Sequence, residues 1–431
     1  MTPQDFRAYP QPHEILERQK CDYNFRYQPN RTKHYYVKNT RKRTIITVYG
    51  EVTYTRTEYI DRLTSKMFCP VDRKIGLLPR QRYDNTIIFL AYELYSDHNS
   101  MIKVGKLIGD LIDSKYSISK NRKFKSIPRQ TIRNMLTRIK SINVPLNTSE
   151  NTPEILYVMA DEKYIPSQNN DKKAHMVKAA QIFEDKVLTN QKGRYKLINK
   201  HLYLHYENNK DDFWDNVFDI IDTKYEFKKI NTIYLMGDGA SWIKRGISEL
   251  KMPNVKIKPV LDGFHFKQAI EHITKDETYK KILYHYSIKN MKDDFKKVIE
   301  IIKTENPNRI EIIDEKSKYI LNHLKEIRTL YKEVKIGCPM EQVISHSIAS
   351  IFTSIPKAYG NKNISTYLNI RQHQQNGHDI RNLILQALQH SQNISFEEID
   401  LTKEKYDFSF LKLPKNTYKI NCLNHHFDKG I

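Results

Sequence analysis

Residues 155–161 have the sequence ILYVMAD, a short apolar run that ends in the carboxylate of Asp161. A continuous apolar run of this length predicts a strand that is buried on both faces of a sheet. Residues 233–238, IYLMGD, repeat the pattern and end in Asp238. If these two strands are neighbours, their ends bring two carboxylates together at one edge of the sheet.

A third acidic residue follows in a segment with helical character. Glu341 lies within MEQVISH, residues 340–346. Carboxylates in such an arrangement can hold two Mg²⁺ or Mn²⁺ ions about 4 Å apart, which activate a water or a 3′-hydroxyl for attack on a phosphodiester. We therefore expect Asp161, Asp238 and Glu341 to be the catalytic, metal-binding residues of an enzyme that acts on nucleic acid. Taken singly, each acid also fits a simple turn or helix-end role.

The charge of the chain supports a nucleic-acid partner. The formal net charge is +22 at pH 7, and an excess of this size favours a polyanion through counterion release. A Lys-rich solvated surface is the alternative. The sequence has neither an apolar run of about 18 residues nor the order of a signal peptide, so we expect a cytoplasmic protein without a membrane span. No phosphate-binding Gly-x-x-x-x-Gly-Lys loop is present, so we expect no use of ATP.

The order of predicted elements after residue 154 is β-β-β-α-β-α-β, in which the second and third strands are predicted over residues 176–185 and 195–206. This order predicts an α/β fold with a ribonuclease-H-like mixed sheet, in which three antiparallel strands precede parallel ones reached through helices. Lys/Glu-rich residues with apolar stripes predict an all-helical insertion. The predicted parts are a catalytic core in two segments (154–270 and 337–390), the helical insertion (271–336) and a C-terminal tail (391–431).

The N-terminal part predicts three further regions. Residues 1–42 form a basic, aromatic arm that either lies along a nucleic-acid backbone or is a loosely ordered leader. Residues 43–83 contain a β-hairpin around Gly50. Residues 84–144 predict helices in a helix-turn-helix-like DNA-binding domain, whose recognition helix begins at Pro128. An ordinary amphipathic helix with a basic face is the alternative. The side chains expected to read DNA are Arg129, Gln130, Arg133, Asn134 and Arg138.

Three more residues near the expected site have two interpretations each. Asp262 and His265 directly follow the fifth predicted strand. They could share a hydrogen bond near the metals or position a phosphate, or they could be a helix cap and a buried histidine. Trp242 could stack on a displaced base, or it could belong to the core.

At these residues the chain resembles the ISLre-type bacterial insertion-sequence transposases, relatives of the Mutator-like group. The resemblance covers roughly residues 40–390, and its most specific pieces are GDGASWI at 237–243 and LDGFH at 261–265. Residues 341–346, the pair Asn376-Gly377 and the Gly50 hairpin add to it. The chain departs from the family pattern at two places. Gln342 stands where a glycine is usual, and residues 357–359, KAY, replace a Met-Gly-Trp-like run. These departures leave Glu333 as an alternative to Glu341.

The resemblance implies a DDE transposase with a ribonuclease-H-like core, an inserted helical domain, and metal-dependent cleavage and strand transfer at the ends of a mobile element. It implies Asp161, Asp238 and Glu341 as the triad, and Asp262-x-x-His265 as an accessory signature. The expected partner is double-stranded DNA, bound by a homodimer or a larger assembly because two ends must be paired. Two other functions stay open: a non-catalytic DNA-binding protein, such as a regulator or a decayed copy, and a nuclease without strand transfer.

Overall fold

The computed structural model of the chain describes residues 20–378 apart from residues 78, 99, 117–125, 138–145, 147, 150, 169–173, 190–194, 207–211, 335–336, 338–339 and 354–358. Arg138 and the tail after residue 390 therefore lie outside the described residues. The chain divides into two units, and the second is formed by residues 143–378. The first unit's described residues all precede residue 138.

A three-stranded antiparallel sheet and six helices form the described part of the first unit. Its strands are β1 (Tyr35–Thr47), β2 (Gly50–Asp61) and β3 (Met67–Phe68). Its helices are α1 (Lys20–Arg26), α2 (Arg31–His34), α3 (Pro70–Ile75), α4 (Asn85–His98), α5 (Met101–Tyr116) and α6 (Arg129–Leu136).

The hairpin is confirmed but is longer than predicted. Gly50 has φ +108°, a conformation that favours glycine, and β1 starts at Tyr35 rather than near Arg43. Residues 20–42 are therefore not a loose leader, because they form two helices and the first part of β1. Phe25 is buried, with its ring edge-on to those of Tyr35 and Tyr59, so part of this aromatic content serves a core.

Several basic residues of the hairpin have internal partners. Asp72 in α3 is buried and forms ion pairs with Arg43 and Arg56, and it accepts a hydrogen bond from the Tyr54 hydroxyl at 2.6 Å. Arg43 also donates to the carbonyl of Gln81 at 2.7 Å. Part of the chain's positive charge is therefore paired within the fold.

The helices predicted within residues 84–144 are found, over the described residues, as α4, α5 and α6. Asp84 accepts a hydrogen bond from the Ile87 amide at 3.0 Å and so caps α4. The hydroxyl of Tyr92 in α4 donates to the carbonyls of Met135 and Leu136 at 3.1 and 2.7 Å, which ties α4 to the end of α6. A Cβ atom at Gly105 would lie 2.1 Å from the carbonyl oxygen of Ile127, so only glycine permits this close approach before α6.

The cap at Asp84 predicts a pH-dependent stability. Burial raises the pKa of Asp84 to about 7 from an ordinary value of 3.8. The folded state then binds the proton more tightly than the unfolded state, so stability is present in full below about pH 4 and is lost as the pH rises to 7. Asp84→Asn keeps an oxygen acceptor for Ile87. We expect the variant to exceed the wild type in free energy of unfolding by about 1–4 kcal/mol at pH 8, since one pKa unit corresponds to about 1.4 kcal/mol.

Urea unfolding of both proteins at pH 5, 6, 7 and 8 measures this effect. The difference should grow up to pH 7 and then stay constant. A difference that is the same at every pH would mean that Asp84 does not carry the titration.

The second unit is a mixed α/β structure with a five-stranded sheet. Its strands are β4 (Ile155–Pro166), β5 (Ala174–Phe183), β6 (Asp185–Leu188), β7 (Tyr195–Ile198), β8 (His201–Tyr206), β9 (Thr232–Gly237) and β10 (Lys256–Leu261). The order in the sheet is β8-β5-β4-β9-β10. Strands β4, β9 and β10 are parallel, whereas β5 is antiparallel to both of its neighbours. The predicted order of strands and helices is therefore found, with one extra hairpin.

Two strand boundaries differ from the predictions. The segment 195–206 is not one strand, because Asn199 adopts φ +47° between β7 and β8, and β7 pairs with β6 in a separate two-stranded sheet. Asp161 does not end β4, which continues to Pro166 because β5 stays paired with it over that length. Asp161 instead lies where the pairing of β4 with β9 stops.

Some helices of the second unit pack on the sheet, and the others form the helical insertion. They are α7 (Phe213–Lys224), α8 (Ser241–Glu249), α9 (Gly263–Ile273), α10 (Glu277–Lys289), α11 (Lys292–Glu305), α12 (Ile310–Asn322), α13 (Leu324–Thr329), α14 (Met340–Ile344), α15 (Ser350–Phe352) and α16 (Asn361–Gln375). Helices α7 and α8 share a core with Leu156, Val158 and Ala160 of β4. A second core joins Leu261 to helices α9–α13, so residues 271–334 are helical as predicted.

The family motif at Asn376 has a structural role. The Asn376 side-chain amide accepts from the Leu202 amide at 2.7 Å and donates to the Leu202 carbonyl at 2.9 Å. Gln372, one turn earlier, accepts from the Leu204 amide at 2.8 Å. These side chains satisfy backbone groups of the edge strand β8, which would otherwise be open to pairing.

Over the residues described, the longest apolar helices fall short of what a bilayer crossing requires.

Candidate active site

The strand register places three aspartates at one level of the sheet. Met159 pairs with Met236 across β4 and β9, so Asp161 and Asp238, each two residues further on, lie side by side. Leu261 pairs with Gly237 across β10 and β9, so Asp262 lies beside Asp238, and its amide donates to the Gly237 carbonyl at 2.8 Å. Adjacent strands are about 4.8 Å apart. Three neighbouring parallel strands therefore present carboxylates at one position.

Asp161 is a half-buried carboxylate in acidic surroundings. One of its oxygens accepts a hydrogen bond from the Glu162 amide at 2.8 Å. The pKa of Asp161 is raised to about 6. Burial is the largest cause, and the charges of Glu162 and Asp238 also raise this pKa, whereas the Glu162 amide and His265 lower it.

Asp238 lies in a turn that the helical insertion contacts. Its side chain accepts from the Ala240 amide at 2.8 Å, and its carbonyl accepts from the Tyr319 hydroxyl of α12 at 2.7 Å. Gly239 has φ +87°, and a Cβ atom there would lie 2.3 Å from Nε2 of His323. Tyr319 and His323 thus fix the backbone that carries Asp238.

Asp262 and His265 open helix α9. Asp262 accepts from the Phe264 amide at 3.0 Å, which confirms the helix-cap interpretation. His265 Nε2 lies 3.9 Å from Asp262 Oδ2, too far for a hydrogen bond, and its side chain is 32% exposed, so the expectation of a buried histidine is wrong. Burial raises the pKa of Asp262, while His265 lowers it and the charges of Glu341 and Asp238 raise it.

Glu341 belongs to the same electrostatic group, whereas Glu333 has other partners. Glu341 is exposed on α14, a helix that packs on β4 and β5, and its charge acts on Asp262. Glu333 accepts from the Tyr234 hydroxyl at 3.2 Å and pairs with Lys258 at 2.5 Å. Tyr234 lies four residues before Asp238, which corresponds to about 13 Å along a strand at about 3.3 Å per residue. The hydrogen bond to Tyr234 therefore holds Glu333 at a position away from Asp238. The structure therefore favours Glu341 over Glu333.

Glu162 is a site residue that the sequence interpretation missed. Its side chain accepts from the indole N–H of Trp242 at 2.7 Å. Burial raises its pKa, and the charge of Asp238 raises it further. Its position directly after Asp161 was the available signal, but a strand alternates its side chains between two faces, so adjacency in sequence does not predict that Glu162 and Asp161 act at one site.

Trp242 occupies the core position that was left open as an alternative. Its ring centroid lies 5.3 Å from that of Phe213 and 6.0 Å from that of Trp214. The ammonium of Lys178 lies 5.2 Å from the centre of the Trp242 ring. With these contacts, the ring serves packing and the orientation of Glu162, and stacking on a base stays a prediction.

The acidic group fits divalent ions by its chemistry. Carboxylate oxygens are the ligands that Mg²⁺ and Mn²⁺ prefer, and a cation would relieve the repulsion of Asp161 by Glu162 and Asp238, which adds to the effect of burial on the pKa of Asp161. Over the described parts of residues 20–378, however, no three acidic, His or Cys side chains stand close enough to form a finished metal cluster. Asp161, Asp238 and Glu341 are the residues that would hold the ions, after side-chain adjustment at the exposed Glu341.

The predicted recognition helix α6 presents a polar face. Gln130 Nε2 donates to Asn134 Oδ1 at 2.9 Å, and Ile132, Met135 and Leu136 are buried on the other side. The exposed residues of this face are Arg129, Gln130, Arg133 and Asn134. Both a DNA-reading helix and an ordinary amphipathic helix would look like this, so the role stays a prediction.

The chain is thus a mixed α/β protein with aspartates side by side across three adjacent parallel strands. It belongs to the family described as "Uncharacterised protein family (UPF0236)", which matches residues 14–387. Two UPF0236 proteins of Caldanaerobacter subterraneus subsp. tengcongensis are 27% and 26% identical to it. The first match covers 91% of this chain and 80% of the relative, and the second covers 81% and 71%. A UPF0236 protein of Streptococcus gallolyticus is 22% identical, over 67% of this chain and 62% of the relative.

Proposed function

We propose that this chain is a DDE-type DNA transposase with a ribonuclease-H-like catalytic core. The observation that carries the proposal is the alignment of Asp161, Asp238 and Asp262 on three adjacent parallel strands. The charge of Glu341 acts on Asp262. The strand order, with the antiparallel β5 and β8 on one side and the parallel β9 and β10 on the other, supports this class of core.

The acidic group suits phosphodiester chemistry. When bound, a pair of divalent ions would supply the activated oxygen nucleophile and neutralise charge on the leaving oxygen. The chain's own part is to hold carboxylates in place at a rigid sheet edge. Tyr319 and Trp242 support this by fixing the Asp238 carbonyl and the Glu162 side chain.

The names of the relatives fit a mobile element. The name of one Caldanaerobacter relative joins eleven locus numbers, and that of another joins four. A protein sequence recorded at many loci of one genome is what an element that copies or moves itself would leave. We take this as support for transposition rather than for a host nuclease.

Reconstituted cleavage and joining would test the proposal. Full-length protein is incubated with Mg²⁺ or Mn²⁺, a DNA fragment carrying the sequences that flank its gene, and a plasmid target. Metal-dependent cuts at the element ends, followed by joined products, are expected. Cuts without joining would indicate a nuclease, and specific binding without cuts would indicate a non-catalytic DNA-binding protein.

The polar face of α6 gives a binding prediction. We expect Arg133→Ala to weaken binding to end-containing DNA about 10-fold, since one side-chain contact to a base is worth about 1–3 kcal/mol. Lys106→Ala on α5 is the control, because it removes one exposed positive charge outside the expected face. Mobility-shift titrations at one fixed salt concentration provide the measurement. Equal losses in both variants would show that only overall charge matters.

A further inference from the structure

A small polar cavity lies beside Asp238, between helices α9 and α12. Its volume is about 150 Å³, room for about five water molecules at about 30 Å³ each. Asp238 and Tyr319 line one side. The donors come from His265, Gln268 and His272 of α9 and from Lys316 of α12.

Apart from Asp238, the polar side chains that line the cavity are suited to an anion. Lys316, His265 and His272 can all offer N–H groups, and Gln268 adds an amide. The Lys316 ammonium now contacts Glu315 at 2.7 Å, but Glu315 is 68% exposed. A pair so open to solvent contributes little, so Lys316 can turn to a more strongly charged ligand at small cost.

We propose that this cavity binds a backbone phosphate of the DNA strand, next to the phosphate that reacts at Asp238. This rests on the proposed function and extends it, because it assigns substrate binding to the helical insertion. Phosphate is the ligand that the chemistry favours, because the donors come from two helices and charged N–H donors bind phosphate oxygens strongly.

The position of the cavity explains why a phosphate would bind there rather than elsewhere on this basic chain. Tyr319 donates to the Asp238 carbonyl at 2.7 Å, and Lys316 is one helical turn earlier on the same helix. Helix α12 therefore carries both the group that fixes the catalytic turn and the group that would hold the strand. A phosphate bound by Lys316 would therefore lie in the same cavity as Asp238.

Lys316→Ala and Lys318→Ala form a matched pair for the test. Lys318 is exposed on the same helix but lines a different groove, toward α11. For Lys316→Ala we expect the DNA concentration that gives half-maximal cleavage to rise about 10-fold, with Lys316→Arg recovering most of it. Lys318→Ala should behave as wild type. Equal defects in both alanine variants would overturn the proposal.

Neutral backbone substitutions locate the phosphate. Methylphosphonates are placed singly at the positions that flank the cut. At one position the substitution should weaken wild-type cleavage but leave Lys316→Ala unchanged, because the contact is already lost. If no position shows this coupling, the cavity does not hold a backbone phosphate.

A second measurement separates this proposal from the proposed function. Thermal unfolding of the metal-free, full-length protein is followed with increasing inorganic phosphate, which stabilises a folded state that binds it. Wild type and Lys318→Ala should gain more than Lys316→Ala. If phosphate gives this pattern but DNA is never cut, the subsite stands and the transposase proposal fails. If DNA is cut and Lys316 has no effect in either assay, the subsite proposal fails alone.

Discussion

Asp161→Asn and Asp238→Asn should each reduce metal-dependent DNA cleavage by a factor on the order of 10³ or more. Each substitution removes a charged metal ligand, and the bound ions supply several kcal/mol of charge stabilisation in the transition state, where about 1.4 kcal/mol corresponds to a factor of ten. The fold should survive, because an asparagine oxygen can still accept the hydrogen bonds from the Glu162 and Ala240 amides.

Asp219→Asn is a suitable control for this experiment. Asp219 is exposed on α7, and its substitution changes the charge by the same amount away from the acidic site. Single-turnover cleavage of end-containing DNA, with DNA binding measured in parallel, gives the result. Cleavage that persists at near wild-type rate in either variant, with binding intact, would remove both residues from the chemistry.

Glu341→Gln should be as damaging as the aspartate substitutions, whereas Glu333→Gln should leave cleavage within about a factor of three. The structure gives the reason for the contrast. Glu341 acts electrostatically on Asp262, but Glu333 pairs with Lys258, and both side chains are about two-fifths exposed. Solvent-exposed ion pairs contribute about 0–1 kcal/mol, so Glu333→Gln should also alter stability little.

The same cleavage assay is applied to Glu341→Gln and Glu333→Gln, and the result shows which glutamate is the third metal ligand. A large loss for Glu333→Gln together with an active Glu341→Gln would reverse the assignment. If both variants are active while Asp161→Asn is not, the third ligand lies elsewhere, and Glu162 becomes the next residue to test.

The patterns of the sequence predicted which elements form but not where they end. ILYVMAD correctly predicted a buried strand, yet β4 passes through Asp161 to Pro166. In a sequence, a carboxylate after an apolar run suggests the end of the strand. Only the residues that pair with it on the neighbouring strand show that the strand continues. The prediction of a single strand over 195–206 was wrong for a related reason. Asn199 adopts the left-handed conformation that interrupts the strand, and the surrounding composition does not reveal such a turn when the residue is not glycine.

The part of the acidic site that follows from strand topology alone was predictable from the sequence. Parallel neighbouring strands bring their carboxyl ends together, and that rule placed Asp161 and Asp238 side by side. The surrounding support was not predictable. Tyr319 reads as an apolar-face residue of a helix, and its bond to the Asp238 carbonyl joins positions far apart in the chain. Trp242 likewise gave no sign that its indole would orient Glu162.

The contact of α12 with the turn at Gly239 limits how this protein can be shortened. Tyr319 and His323 contact the backbone of residues 238 and 239 directly, so the five-stranded sheet alone does not hold the turn that carries Asp238. A truncation that keeps every carboxylate but deletes the helices would leave the Asp238 loop unsupported. A shortened chain that is to keep the arrangement of this acidic group would therefore have to retain helix α12.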